Sequence, residues 1–513
     1  MNTDNPETSL KKELLFNQNK TLFYIFFVII LLVGLGIRFY DLTDAPLDFH
    51  PTRQLFSALK ARGMFYENLK TAPEWQREFA IQQWKKQGFI EPPVMERITA
   101  FFYQVLGMEA LWIPRVLAIL FWTIGGVFLM LIALAIIDRN AAIIAFLLFM
   151  VTPYSAIASR AFQPDPLMVM LMIIGLWGLV RWIKDENMVN GVIAGLFSGL
   201  AIFVKSVVIF PLAFVFIAVV IFKKKSLKNL IKSPSIWVMG SLSILPYIGY
   251  LIYGLKINGA LTSEFSLRFF PELWTDPAFW IRWNNMISSV IGFVIFLASI
   301  IGILLLKKPV HRVFLTALFA GYFVYGLTLP YHISTHDYYQ LPFIPIAVLG
   351  ASAAFSQVIQ GVQKPNWLSN LVIIGVLAYY LAMNAWDVRV SLARNNYRNE
   401  VTFWQKMAEK FSPNDSLIGI TQDYGYRLNY WGWRDIENWM ATYDFSLREL
   451  AGQEFDMKAY FEEQIQGKDY FLVTNLSELD NQPEIKQILF DNYSIQEQTG
   501  DYIIFDLHQK TGK

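Results

Sequence analysis

The octapeptide LDFHPTRQ at residues 47–54 places an acid, a histidine and an arginine in the six residues from Asp48 to Arg53, just beyond a long apolar run. Comparable groups sit at the ends of other apolar runs. These are Arg115, then Arg160 and Asp165 in SRAFQPDPLMVML (159–171), Lys205, and the His336, Tyr338 and Tyr339 of YHISTHDYYQLP (331–342). Ionisable side chains at a membrane boundary are costly to place, so each is a candidate for function. Two carboxylates and several cations on one membrane face suit a substrate with an apolar tail and an anionic head, such as a sugar joined to a lipid phosphate. The phosphate needs Lys or Arg to neutralise the charge it gains as leaving group. The attacking hydroxyl needs a carboxylate base on the opposite face of the sugar. Phosphate departs as a stable anion, so no strong general acid is required. The reaction class predicted is attack of a hydroxyl on the anomeric carbon with inversion.

Each residue also has a structural explanation when taken alone. Asp48 can cap a helix that starts near Thr52. Asp165, between Pro164 and Pro166, can complement a helix dipole. Lys205 and Arg115 can reach to headgroups. His332 and His336 are four apart and would suit a metal on a helix, but the prolines around them favour a loop. The grouping on one face is what separates function from these alternatives.

The elements that must position these groups are membrane helices. The chain has 513 residues, 55% hydrophobic and 16% charged, with 42 Phe, 24 Tyr and 16 Trp. That composition describes a polytopic membrane protein rather than a soluble core. A net charge of +2, with no basic tract interleaved with aromatics, gives no sign of nucleic-acid binding. The absence of cysteine removes disulfides, thiolate metal sites and cysteine nucleophiles. The first apolar run has no cleavage signal after it and is expected to be a retained helix. Eleven spans are predicted, at 21–38, 112–136, 141–158, 166–183, 190–204, 206–222, 235–254, 284–306, 313–330, 338–358 and 370–386. Lys11, Lys12 and Lys20, Arg139, Lys184, the KKKSLKNLIK of 223–232, Lys307, Lys308, Arg312 and Lys364 fall in alternate loops, as the positive-inside rule requires. The apolar run 189–222 is too long for one upright span, and a tight helical pair turning near Lys205 and Ser206 keeps that alternation. The other loops then lie outside the cytoplasm. The long first loop, 39–111, carries two helical stretches, from Thr52 and from Pro73, expected to lie along the membrane surface. From about residue 388 strand-like runs (416–422, 469–475, 501–507) alternate with helical ones (399–411, 447–465, 483–489). This predicts a small α/β domain over 388–513 after a membrane domain over 1–387. Its aromatic YGYRLNYWGWR (424–434) suits glycan contact but fits a packed core better.

With those residues in view, the chain resembles the polyprenyl-phosphate-dependent glycosyltransferases of GT-C fold, among them the bacterial relatives of protein O-mannosyltransferases and the aminoarabinose transferase of lipid A. The resemblance rests on RFYDLTDAPLDFHPTRQLFSALKARGMFYE (38–67), EPPVMERITAFFYQVLGMEALWIPRVLAIL (91–120), SRAFQPDPLMVML, GLAIFVKS (199–206) and HISTHDYYQLP (332–342). It implies that Asp48 is the first-loop acid, acting as base or acceptor guide, and that Asp165 is the second-loop acid. Lys205 is implied to bind the donor phosphate, with Arg160, Arg115, Arg53, His336, Tyr338 and Tyr339 building the rest of the donor pocket. Relatives often carry a second acid after the first, where this chain has Phe49, and an acidic pair where it has Asp165 alone. A divalent ion therefore finds few ligands, and His50 or His336 would have to complete its shell. No cofactor is assigned.

The function expected is transfer of a monosaccharide from a polyprenyl-phosphate donor to a lipid, glycan or protein acceptor, by a multi-pass protein of the inner (plasma) membrane with its site and C-terminal domain outside the cytoplasm. The alternative is a non-catalytic transporter or flippase of lipid-linked sugars, which predicts interrupted mid-membrane helices and internal hydropathy symmetry. No such symmetry stands out, and the charged residues gather at the membrane boundary. A catalytically dead assembly partner is the third possibility. Sugar release from donor in detergent separates the enzyme from both.

Overall fold

The structure is a computed structural model that describes residues 15–88, 91–257, 261, 268–362 and 366–510. Lys11, Lys12 and Lys364, used above for orientation, lie outside the described residues.

The protein is a multi-pass membrane protein built on a helical bundle. Among the described residues, eight helices are long and apolar enough to cross a membrane, or nine with one bent pair taken as a span, and two shorter apolar helices join them. In chain order the helices that position the site are α1 (Lys20–Phe39), α2 (Pro51–Asn68), α3 (Glu74–Lys86), α4 (Val94–Leu106), α5 (Trp112–Ile136), α6 (Arg139–Val151), α7 (Pro153–Ala158), α8 (Asp165–Asp185), α9 (Met188–Val204), α10 (Ile209–Lys224), α11 (Pro234–Ile252), α12 (Pro277–Ile291), α13 (Phe293–Leu305), α14 (Pro309–Thr328), α15 (Phe343–Gln360) and α16 (Trp367–Arg394). Local chemistry fixes several starts. Asn19 accepts from the Leu22 N–H and Asp138 from the Ala141 N–H, satisfying donors that an apolar helix leaves bare. Asp138 also accepts from Ser356, tying α6 to α15.

Two predicted spans differ. The 141–158 run breaks between α6 and α7 at Pro153, whose ring fits a new first turn but not a helix interior. The 284–306 run is bent by 93° between α12 and α13. Gly292 makes the bend at φ 82 and ψ 138, a conformation closed to residues with a Cβ. The 190–222 run is two helices, broken at the predicted position. α9 ends at Lys205, which is extended at φ −154 and ψ 113, and a short 3₁₀ turn, Ser206–Val208, leads into α10.

In the first loop, α2 is enclosed by protein on two sides. Gln54, Leu55, Leu59 and Ala61 are fully buried, because α3 and α4 cover one side of the helix and the C-terminal region covers another. Its polar residues find partners there: Arg62 pairs with Glu109 at 2.8 Å and donates to the Tyr430 carbonyl at 2.6 Å. The helix with a bare apolar face is α4, where Phe101, Val105 and Leu106 are exposed. That face suits contact with lipid.

The C-terminal region carries one five-stranded sheet in the order β2-β1-β3-β5-β4, with β1 (Leu417–Ile420), β2 (Glu437–Asn438), β3 (Tyr470–Val473), β4 (Tyr493–Gln498) and β5 (Ile503–Lys510). β1 runs parallel to β2 and β3, whereas β5 is antiparallel to β3 and β4. The aromatic 424–434 stretch is largely packed: Leu428, Tyr430 and Trp431 are buried, and Trp433 meets the rings of Tyr66, Trp75 and Phe79. Residue 388, the predicted start of a second domain, lies inside α16.

Candidate active site

The residues predicted for chemistry gather where the 40–54 segment, the α7–α8 connection, the α9–α10 break and the 331–341 turn converge. Arg38, sealed in the bundle, holds the end of α1 by donating to Ser159 Oγ and the Met150 carbonyl, each at 2.7 Å. The chain then turns through Asp44, whose carboxylate accepts from the Ala45 and Tyr397 N–H groups at 2.9 Å each. His50 enters α2 with φ 43 and ψ 67, a left-handed conformation that costs energy for a residue with a Cβ.

Asp48 is buried between two arginines. Arg115 bonds its Oδ2, and Arg160 Nε lies 3.4 Å from the same oxygen. Both guanidiniums also brace the turn before it: Arg115 donates to the Leu42 and Asp44 carbonyls, and Arg160 to those of Tyr40 and Asp41. The structure thus gives these arginines to Asp48 and its backbone. Among the described residues the one hydrogen-bond donor to Oδ1 of Asp48 is Gln54 Nε2, at 3.5 Å, a distance too long for a strong bond. Gln54 bonds the Phe49 carbonyl at 2.6 Å and accepts from the Phe162 N–H at 2.9 Å, fixing the first acid loop to the second. Phe49 packs edge-on against Tyr154 and His50.

Asp165 opens α8 and is bound by Lys205 Nζ at 2.9 and 3.0 Å, both residues nearly inaccessible. The Lys205 ammonium also lies 3.9 Å from Glu91 and over the rings of Tyr338 and Tyr339, at 4.9 and 5.4 Å from their centroids. Arg53 bonds Glu91 at 2.7 Å. Burial alone would raise Glu91, but Arg53 and Lys205 outweigh it and hold the carboxyl below its ordinary range. His50 Nε2 is 2.5 Å from Asp337, and its ring meets Tyr338 at 4.7 Å. His336 bonds Thr335 Oγ1 through Nδ1, and burial together with the charge of His50 pushes it down to about 4. His332 is pushed to about 3, again first by burial.

One predicted set, Asp165, Lys205, Arg53, Tyr338 and Tyr339, is therefore a single cluster, with Asp48, Arg115 and Arg160 forming a second group beside it. Sequence reasoning assigned no role to Glu91 or Gln54. Glu91 opens the EPPVMER stretch before α4, but its partners lie far along the chain, so nothing local marked it. Among the described residues no three His, Asp or Glu side chains gather as a metal site. Asp48 and Asp165 each already face fixed cations, and His50 and His336 face Asp337 and Thr335, so this donor set does not suit a divalent ion.

An apolar cavity of about 740 Å³ runs between α6, the α12–α13 bend, α15 and α16. Tyr154, which touches Phe49, lines it, so the cavity reaches the edge of the acid loop.

Residues 90–253 match the model of the family described as dolichyl-phosphate-mannose-protein mannosyltransferase. That stretch holds Glu91, Arg115, Arg160, Asp165 and Lys205. No curated protein sequence matches the chain. Among solved structures, ArnT from Cupriavidus metallidurans bound to undecaprenyl phosphate superimposes with a TM-score of 0.59 at 14% identity, covering 93% of this chain and 97% of that one. Its apo state gives 0.58 at 13%, covering 95% and 98%. The Archaeoglobus fulgidus oligosaccharyltransferase complex with Zn and sulfate gives 0.55 at 12%, covering 94% of this chain and 73% of its own. The protein is thus similar to membrane glycosyltransferases over nearly its whole length, and its fold is the GT-C fold.

Proposed function

We propose that the protein is an integral membrane glycosyltransferase that moves a monosaccharide from a polyprenyl-phosphate donor to a lipid, glycan or protein acceptor, with inversion, on the extracytoplasmic side of the inner membrane. The observation that carries this is the junction of the two charged groups with the apolar cavity at Phe49 and Tyr154. The polyprenyl tail occupies the apolar cavity. Lys205 and Arg53 bind the phosphate and neutralise the charge that develops as the sugar–phosphate bond breaks. Asp165 and Glu91 hold those two cations in place, and the Tyr338 and Tyr339 rings cover Lys205.

Asp48 takes the acceptor's proton. Its Oδ2 is anchored by Arg115 and Arg160, leaving Oδ1 to accept from the attacking hydroxyl. Fixing one oxygen aims the other, which lowers the entropic part of the barrier. The step balances without a co-reactant: the acceptor oxygen bonds the anomeric carbon, lipid phosphate departs with the bonding pair, and the proton passes to Asp48.

The test is purified protein in detergent with a panel of polyprenyl-phosphate sugars. Release of lipid phosphate coupled to a new glycoside, lost in Asp48→Asn, supports the assignment. Binding of donor with no turnover on any acceptor speaks for a carrier.

A further inference from the structure

A second polar cavity lies in the C-terminal region, at the carboxyl ends of the parallel strands β1 and β3. It measures about 470 Å³, and a smaller one of about 260 Å³ adjoins it through shared Gln422, Arg427 and Asn475. The chain leaves β1 toward β2 on one side, while β3 lies on the other. Between β1 and β3 the connections therefore diverge, which opens the crevice where α/β sheets take ligands.

Three observations mark this crevice as a built site. Asp423, Tyr424 and Gly425, separated from the end of β1 by two residues, all adopt positive φ (53, 57 and 79), and two carry side chains. Consecutive left-handed residues are strained, and such strain persists where a site requires it. Thr421 Oγ1, buried in the wall of the smaller cavity, has no hydrogen-bond partner among the described residues. In the larger cavity, one Glu400 oxygen takes both Arg427 Nη1 and Trp404 Nε1 at 2.9 Å, and its other oxygen has no partner among the described residues. The remaining walls offer the Asn396, Asn399 and Asn475 amides and the Ser477 hydroxyl beside the partly buried Tyr397 and Phe403 rings.

The crevice also borders the proposed base from both sides in sequence. The Tyr397 N–H, on the cavity wall, is tied to Asp44, and Thr52 Oγ1 donates to Asp423 at 2.9 Å. Asp44 and Thr52 bracket Asp48.

We propose that this crevice is the subsite for a saccharide portion of the acceptor, recognised by amides, one oriented carboxylate–guanidinium pair and stacking rings. Neutral hydrogen-bonding groups with aromatic faces match sugar hydroxyls and C–H faces, and lack the cluster of cations a phosphorylated headgroup would need. The inference rests on the transferase assignment for its role but not for its ligand.

The test uses the full chain in nanodiscs. Hydrogen exchange is measured with cello-, manno-, malto- and chitotetraose at millimolar concentration, and with a Ser/Thr-containing peptide. Asn399→Trp fills the cavity from an exposed position on the Arg398–Ala408 helix without removing a bond. Protection of 420–427 and 474–477 by at least one saccharide, abolished in Asn399→Trp, supports the subsite, even in a preparation without transfer activity. In turnover, Asn399→Trp should raise the glycan-acceptor KM roughly tenfold or more with donor KM unchanged. Protection by the peptide alone, or no protection by any saccharide together with an unchanged acceptor KM, overturns it.

Discussion

Lys205 Nζ sits between the two oxygens of Asp165, at 2.9 and 3.0 Å, with both side chains sealed from water. Removing one partner of such a pair leaves an unpaired buried charge and costs about 3–5 kcal/mol, whereas replacing both with apolar groups is often neutral. Lys205→Met and Asp165→Leu should each lower the thermal midpoint markedly, and the double variant should recover most of the loss. Activity should not recover, because the donor phosphate has lost its cation. Recovery of both in the double variant would make the pair structural only.

Arg115 gives Asp48 a charged partner and gives the Leu42 and Asp44 carbonyls their donor. Lysine keeps the charge but cannot serve all three acceptors at once. Arg115→Lys should reduce kcat by roughly a hundredfold through misplacement of Asp48, with donor KM little changed. A change confined to donor KM would move Arg115 to the phosphate.

The 331–341 turn makes acid a destabilising condition. His336 is held down to about 4 from an ordinary 6.5, so between these values the unfolded chain binds more protons than the native one. Asp337, lowered by its bond to His50 against its burial, adds a further loss only below its ordinary 3.8. The thermal midpoint should therefore fall as pH drops from about 6.5 toward 4, and His336→Gln should flatten that slope. An unchanged slope in the variant would contradict the shift.

At Gly292 the φ of 82 and ψ of 138 bend α12 from α13 by 93° along the wall of the apolar cavity. Gly292→Ala should cost about 1–3 kcal/mol and weaken binding of long-chain polyprenyl phosphate more than that of a short-chain analogue. Equal loss for both would detach the bend from the tail.

Much of this was legible in the sequence where the signal is local. The turn at Lys205 followed from charge alternation and the length of the apolar run, and three strands from β-branched runs between turn residues. The broken spans were less legible, since Gly292 and Pro153 each sit in runs whose hydropathy never falters. The protein cover over α2 was not legible, because an apolar stripe reads the same against protein as against lipid. That cover comes from partners distant in sequence, such as Glu109 and Tyr430 at Arg62. Glu91 and Gln54 escaped for the same reason: their roles exist only once the 40–54 segment meets Phe162 and Lys205.

The most direct test of the central claim is single-turnover transfer by wild-type and Asp48→Asn protein, with polyprenyl-phosphate binding and thermal midpoint measured on the same samples. The account predicts that Asp48→Asn remains folded, binds lipid phosphate with near-wild-type affinity and loses transfer by roughly a hundredfold or more, as expected when a general base is removed. Full transfer by Asp48→Asn would show that Asp48 is not the base.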